Sequence, residues 1–289
     1  MKKKLLIPLT LMFSISWTAL FGGSINAQDQ DAKIEQEVTH VLSEKEALLK
    51  YRVVDNEYKR EAATVVYPNA IDQLDVNYLD VIVNEITKYE KQHPHASEDQ
   101  INEYFMELCK IYNSKNQNKS FNAATALSNG FYNIIGGKAQ LNAQEQALFD
   151  SNPSKGAKAI VAGKEAWDYT EYKFGFNGHN DKSDAFRHAA WNIWIMGFTD
   201  WSWAYDWTTA HEEGSSYNPA LEKEMDLNNN SIGRLYGSIN NISPNSTPAQ
   251  TRAAIISAYK SGDLKYFYWS SFTGTVLVKF TGYDSDFIN

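Results

Sequence analysis

The sequence predicts a mostly α-helical protein, with a helical N-terminal region, an α-helical C-terminal domain and a short strand or hairpin near the C-terminus. Apolar residues recur at helical spacing through most of the chain after residue 30. Helix-start signals precede several of these segments. Only Thr275 to Phe280, inside a longer stretch from Tyr266 to Asp284, has the β-branched pattern of a strand.

The composition excludes several classes of protein but does not indicate a function. The chain has 289 residues, of which 43% are hydrophobic and 21% are charged, as is ordinary for a globular protein. It carries 27 Lys and Arg against 35 Asp and Glu. Because no basic excess is available to neutralise phosphates, we expect no nucleic-acid partner. Collagen-like, coiled-coil, low-complexity and multi-span membrane classes are excluded.

Residues 1–27 are predicted to be a secretory signal peptide. Three lysines at positions 2–4 precede the apolar run Leu5 to Phe21, and Gly22-Gly23 leads to a cleavage site after Ala27. An uncleaved anchor is the alternative, since the run is slightly long. No later stretch is apolar enough to span a bilayer, so the mature protein is expected to be secreted or periplasmic. Cys109 is alone and forms no intrachain disulfide.

Residues 28–118 are predicted to form the helical N-terminal region. Helices are expected over 33–52, over 76–90 and from Ser97 onward. The polar run from Asn113 to Ser120 suggests a linker, and it places the start of the second domain at residue 119.

The second domain, 119–289, opens its helices with clear signals. Asn142 and Glu145 form a capping-box pattern, and Pro153 suits the first turn of a helix over 155–172. A further helix is expected from Asp184 to Met196, with Gly197 as its C-terminal cap. Later helices are expected over 225–235 and 248–261.

The helix from Asp184 carries the first candidate site. Asp184 and His188 are four residues apart, so their side chains lie on one face, where they can chelate a cation or form an orienter–base pair. Alternatively, Asp184 only complements the helix dipole behind an Asp181 cap, or pairs with Arg187.

Two more segments contain polar candidates. His211 and Glu212 share a predicted helix, but Ser215 stands where a zinc-protease signature needs a second histidine. Asp226, at the start of a Asp-Leu-Asn-Asn-Asn run, fits the first position of a calcium loop. The required glycine and final acid of that loop are absent, which favours a helix that stacks Asp226 on Asn230.

The order of these segments resembles a bacterial domain family of unknown function, associated with phage, cell-wall and toxin proteins. The resemblance covers roughly residues 141–236. Ala190 replaces an expected aromatic residue, and the insert from Gly197 to Trp207 is unusually rich in tryptophan. The resemblance implies a helical domain with a shared polar centre and no established activity. The matching positions are Asp184, Arg187, His188, Trp191, Asn192, His211, Glu212, Asp226, Asn229, Asn230, Gly233 and Arg234.

The favoured interpretation is a secreted hydrolase that depends on a divalent metal, with zinc favoured, and acts on a cell-wall, phosphodiester or lipid substrate. The expected metal ligands are Asp184, His188, His211 and Asp226. The expected catalytic residues are His188, Asp184, Glu212 and Arg187. The expected binding residues are Trp191, Asn192, Asn229, Asn230, Arg234, Trp201 and Trp203.

Three alternatives stay open at this point. The same residues suit metal-free acid–base catalysis, with His188 oriented by Asp184. A binding module is the second alternative, in which Trp201 and Trp203 lie on one side of an extended loop and stack on sugars or a protein. The third is a structural network of buried polar groups without activity.

Overall fold

The computed structural model describes residues 65–115, 132, 134–135, 138–214 and 219–289. Eight α-helices and two short hairpins make up this part of the chain, with three 3₁₀ turns at 70–73, 76–78 and 284–286. The mostly α-helical class and the C-terminal hairpin are therefore confirmed. The helix predicted over 33–52 and the domain boundary at 118–119 lie outside the described residues.

The helices begin and end as follows in chain order. They are α1 (Leu79–Gln92), α2 (Glu98–Lys115), α3 (Ala143–Ser151), α4 (Pro153–Phe174), α5 (Lys182–Phe198), α6 (Trp201–Gly214), α7 (Ala220–Ile239) and α8 (Pro248–Lys260). The strands are β1 (Ile134–Ile135), β2 (Lys138–Ala139), β3 (Lys265–Ser270) and β4 (Gly274–Lys279).

Local capping explains several of these boundaries. The predicted capping box at the start of α3 is present, with the Asn142 side chain accepting from Glu145 N and the Glu145 side chain accepting from Asn142 N. Thr247 and Gln250 form a second box before α8. Asp181 caps α5 by accepting from the backbone N–H groups of Ser183 and Asp184.

α5 does not end at Gly197 as predicted. It continues to Phe198, and Thr199 forms its C-terminal cap. Gly197 does not have the positive φ of a glycine C-terminal cap, unlike Gly175 at the end of α4.

α5 is the central helix of the described fold. It packs most extensively against α4 and α7 and also contacts α6, α8 and β3. Nearly all of its side chains from Ser183 to Met196 are buried. One hydrophobic core runs from α1 to the C-terminal hairpin, and its largest fully buried aromatic side chains are Phe105, Phe149, Phe186, Trp191, Trp207 and Tyr259.

β3 and β4 form an antiparallel hairpin with Lys265 opposite Lys279 and Ser270 opposite Gly274. Gly274 has φ +72°, a conformation that favours glycine, at the turn end of the hairpin. Within the described ranges, no helix combines the length and apolar character that crossing a bilayer requires.

Candidate functional site

Three buried acids surround His188, and each comes from a different helix. His188 Nε2 lies 3.4 Å from Asp184 Oδ1 on α5 and 3.4 Å from Asp226 Oδ1 on α7. On the other side of the ring, His188 Nδ1 lies 3.5 Å from Glu212 Oε1 on α6. All four side chains are buried. The buried faces of α5, α6 and α7 therefore meet in a polar centre, as the resemblance implies.

Asp184 is held in place by its neighbours. Its Oδ1 accepts a hydrogen bond from Arg187 Nη2 at 2.6 Å, and its Oδ2 accepts one from Asn180 N at 2.6 Å. Burial alone would raise the pKa of Asp184, but the hydrogen bond to His188 and the positive charge of Arg187 hold it well below its usual range. Asp184 is therefore a fixed carboxylate.

The pKa values of His188 and Asp226 move in response to the same crowding of charge. Burial alone would lower the pKa of His188, but the charge of Asp226, the hydrogen bond to Asp184 and the charge of Glu212 raise it to about 10. Burial raises the pKa of Asp226 despite the opposing charge of His188, and the nearby Glu212 and Asp184 carboxylates raise it further. The centre therefore attracts positive charge, whether a proton or a metal ion.

A chain of amide side chains fixes the orientation of His188. Arg234 Nη1 donates to Asn192 Oδ1 at 3.0 Å, so the Asn192 amide nitrogen faces the other way and donates to Asn230 Oδ1 at 2.8 Å. Thr208 adds a second contact of 3.0 Å to Asn192 Oδ1. Asn230 Nδ2 in turn donates to Glu212 Oε1 at 3.3 Å.

This order of donors and acceptors determines the tautomer of neutral His188. Asn230 Oδ1 lies 3.3 Å from His188 Nδ1 and is only an acceptor, so Nδ1 carries the proton. The lone pair of neutral His188 is then on Nε2, which faces Asp184 and Asp226. Asn192, Asn230 and Arg234, which the sequence predicts as binding residues, thus orient the His188 ring from its Nδ1 side.

The close approach of α5 and α7 depends on Gly233. A Cβ at Gly233 would lie 2.5 Å from the backbone oxygen of Ala189 and 2.8 Å from its Cα. No side chain fits in that space. The glycine therefore allows Asp226 and Asn230 on α7 to reach His188 on α5.

His211, a predicted metal ligand, does not join this centre. Its Nδ1 is 2.7 Å from Glu145 Oε1, and its ring stands edge-on to Trp191 with centroids 5.0 Å apart. Burial alone would lower the pKa of His211, but the hydrogen bond and charge of Glu145 raise it. Its helix neighbour Glu212 faces His188 instead.

The tryptophan-rich segment is helical, so the predicted extended-loop arrangement of Trp201 and Trp203 is wrong. Asp200 accepts hydrogen bonds from Trp203 N and Ser202 Oγ, and this cap starts α6. Trp203 is buried and donates its indole N–H to Lys155 O. Trp201 is half-buried and stacks on Tyr205. The two rings therefore do not form one exposed platform.

Trp191 and Asn229, the remaining predicted binding residues, form hydrogen bonds that connect elements of the fold. Trp191 is fully buried and donates its indole N–H to Ala159 O. Asn229 lies outside the centre and holds the start of β3, accepting from Lys265 N at 2.8 Å and donating to Lys265 O at 2.9 Å.

Two residues outside the predicted set contact residues within it. The sequence predicts Glu145 only as part of a helix cap, yet its second carboxylate oxygen binds His211. His179 was not selected, yet it is 69% exposed and lies between Asp184 Oδ2, at 3.6 Å from its Nδ1, and Glu222 Oε2, at 3.5 Å from its Nε2. The signal available in the sequence is the loop position of His179, two residues before the Asp181 cap.

Asp184, His188 and Asp226 form a group that can hold a metal ion. One ligand atom from each lies within 4.8 Å of the other two. Asp226 Oδ1 is buried and, among the described residues, accepts no hydrogen bond. Carboxylate oxygen and imidazole nitrogen are ligands that zinc and other first-row divalent metals accept.

Comparison with known proteins gives one match. No curated protein and no solved structure matches the chain. The matched family model overlaps the region of the predicted resemblance and contains all the motif positions from Asp184 to Arg234. Residues 146–263 are thus similar to a family described as a domain of unknown function, DUF6973.

Proposed function

We propose that this domain is a hydrolase that depends on a divalent metal bound by Asp184, His188 and Asp226. The observation that carries the proposal is the convergence of three buried ligand atoms, from two helices, within 4.8 Å. A bound divalent cation polarises a carbonyl or phosphoryl group and lowers the pKa of a water molecule.

The spacing of the ligand atoms supports a small ion. Zinc bonds of about 2.0–2.1 Å in a tetrahedron separate neighbouring ligand atoms by roughly 3.3–3.4 Å. His188 Nε2 lies 3.4 Å from the Oδ1 atoms of both Asp184 and Asp226. Two of the three distances between the proposed ligand atoms therefore already match a tetrahedral zinc site.

The groups around the ligands support the same proposal. Asn230 places the lone pair of neutral His188 on Nε2, the nitrogen that faces the two carboxylates. Arg187 and Asn180 fix Asp184. Ligands of a catalytic metal are commonly oriented by such neighbours. Three protein ligands would leave a position for water or substrate.

Glu212 and His179 take different roles in this proposal. Glu212 lies on the Nδ1 side of His188, so it orients the ring rather than activating water on the Nε2 side. His179 is exposed to solvent and lies at the outer edge of the proposed metal site, next to Asp184. We assign it the transfer of a proton between the site and solvent.

Export and substrate class are part of the proposal. The three lysines at positions 2–4, the apolar run after them and Ala27 support a cleaved leader, and hence a secreted or periplasmic protein. Candidate substrates in that location are cell-wall polymers, phosphodiesters and lipids.

The first experiment measures metal content. The purified chain is dialysed against zinc and analysed for metal beside Asp226→Asn, which removes a ligand charge with little change in volume. We expect about one equivalent of zinc in the wild type and loss of it in the variant. The control is His211→Gln, which changes a half-buried histidine outside the cluster and should retain zinc. A folded wild type without bound metal would refute the proposal.

The second experiment separates hydrolysis from metal binding. The zinc-loaded chain is incubated with peptidoglycan, with a nitrophenyl phosphodiester and with phospholipid vesicles, with and without a chelator. We expect turnover of one substrate that is abolished by the chelator and by Asp226→Asn. Zinc binding without turnover of any of them would leave a metal-binding domain and refute the hydrolase.

A further inference from the structure

The β3–β4 hairpin ends in a group of exposed aromatic side chains. Phe272 is 96% exposed, Trp269 is 70% exposed and Tyr268 is 51% exposed. Large aromatic side chains usually contribute to cores or interfaces, because burying one removes a large apolar area from water. We call residues 268–275 the hairpin tip.

The hairpin carries charged residues only at its base. No charged residue occurs from position 266 to 278, whereas Lys265 and Lys279 face each other in register at the base. Each lysine is already paired, Lys265 with Glu224 at 2.9 Å and Lys279 with Asp263 at 2.8 Å. The hairpin therefore has a neutralised, polar base and an uncharged aromatic tip.

The base is firmly attached to the helical domain. Asn229 binds both backbone groups of Lys265, and Phe267 N donates to Asn180 O at 2.8 Å. Tyr266 packs edge-on against Phe280, with ring centroids 5.2 Å apart. Because strands of six residues are about 20 Å long, a hairpin fixed at its base carries its tip away from these contacts.

We propose that the hairpin tip inserts into the interface of a lipid bilayer. Trp and Tyr have apolar rings with one polar group, which suits the headgroup region, and Phe272 at the turn suits the acyl boundary beyond it. The tip has no charge to desolvate on insertion. A projecting hairpin presents these rings outward, as insertion into the flat surface of a bilayer requires.

This proposal is independent of the metal site, since no ligand of the metal lies on the hairpin. It predicts binding driven by apolar burial rather than by charge, because both basal lysines are already ion-paired. Vesicles of uncharged phosphatidylcholine should therefore suffice, and salt should have little effect.

The test places a probe at the tip of the full chain. Ser271→Cys is labelled with an environment-sensitive NBD fluorophore, while the native Cys109 is buried. With phosphatidylcholine vesicles we expect a blue shift of the probe and quenching by lipids that carry a quencher on the acyl chain. This readout reports the tip itself, so binding of the apolar leader does not affect its interpretation.

Substitutions then identify the groups responsible. In the labelled chain, Trp269→Ser with Phe272→Ser should weaken vesicle partitioning of the tip by about tenfold or more, because two large apolar side chains are lost. Val66→Ser, at another exposed apolar position, is the matched control and should have no effect.

Three outcomes would overturn the proposal. The first is a probe that stays in a water-like environment with vesicles present. The second is binding that requires phosphatidylglycerol, disappears at high salt and leaves the probe unquenched. The third is burial of the probe at high protein concentration without vesicles, which would assign the tip to a second copy of the chain.

Discussion

Asn230 connects the structural network to the proposed metal site, so replacing it with alanine tests both. The side chain contacts His188 Nδ1 at 3.3 Å, accepts from Asn192 at 2.8 Å and donates to Glu212 at 3.3 Å. All three partners are buried. Asn230→Ala therefore removes the group that sets the tautomer of neutral His188.

The expected magnitude follows from the number of partners left unsatisfied. One buried polar group without a hydrogen bond costs about 1–3 kcal/mol. Because water entering the vacated space will satisfy some of the three, we expect a loss of about 2–5 kcal/mol in the free energy of unfolding. We further expect zinc affinity to fall about 10–100-fold, as for other residues that orient a metal ligand.

The assay compares urea unfolding of the metal-free chain with a zinc titration of the folded chain. Asn240→Ala is the control, since Asn240 lies exposed at the end of α7 and its side chain donates to the local backbone oxygen of Tyr236. It should change stability by less than about 0.5 kcal/mol and leave zinc affinity unchanged. Wild-type zinc affinity in folded Asn230→Ala would refute the tautomer argument. Wild-type stability would refute the network itself.

Two further predictions concern packing and pH. Gly233→Ala should destabilise the fold by about 2 kcal/mol or more, because its Cβ would lie 2.5 Å from Ala189 O, and an unchanged melting temperature would contradict the close approach of α5 and α7. The pKa of His211 is raised in the folded state, so its contribution to stability is complete below the unfolded value of about 6.5 and is lost as the pH rises through the folded value. Denaturation of wild type and His211→Gln over this pH range should show a steeper decline for the wild type, and parallel curves would argue against the Glu145 pair.

The local features of the site could be predicted from the sequence because they depend on neighbours along the chain. Asp184 and His188 lie one helical turn apart, which places them on the same face of α5, and their side chains are 3.4 Å apart in the structure. The Asp181 cap and the capping box at Asn142 also depend only on local hydrogen bonds. The absence of the calcium-loop glycine and acid argues against a loop around Asp226, and the segment is helical in the structure.

The expectations for His211 and for the tryptophans differ from the structure for two reasons, the tertiary packing of α6 and the cap at its start. His211 and Glu212 are adjacent, so only one of them can face His188, and the sequence does not show how α6 is rotated against α5. In the structure, Glu212 faces the centre and His211 faces Glu145. The extended-loop alternative for Trp201 and Trp203 takes no account of Asp200, whose side chain caps the start of α6.

The sequence by itself determined most of the helices, several of their N-terminal caps, the hairpin and the set of polar residues available to a site, since each of these depends on short-range periodicity or hydrogen bonding. Only the tertiary structure decided which of those residues meet. The contact of Gly233 with Ala189 brings α7 close enough for Asp226 and Asn230 to reach His188, although 38 residues separate His188 from Asp226 along the chain. Long-range packing of this kind leaves no periodic signal in the sequence.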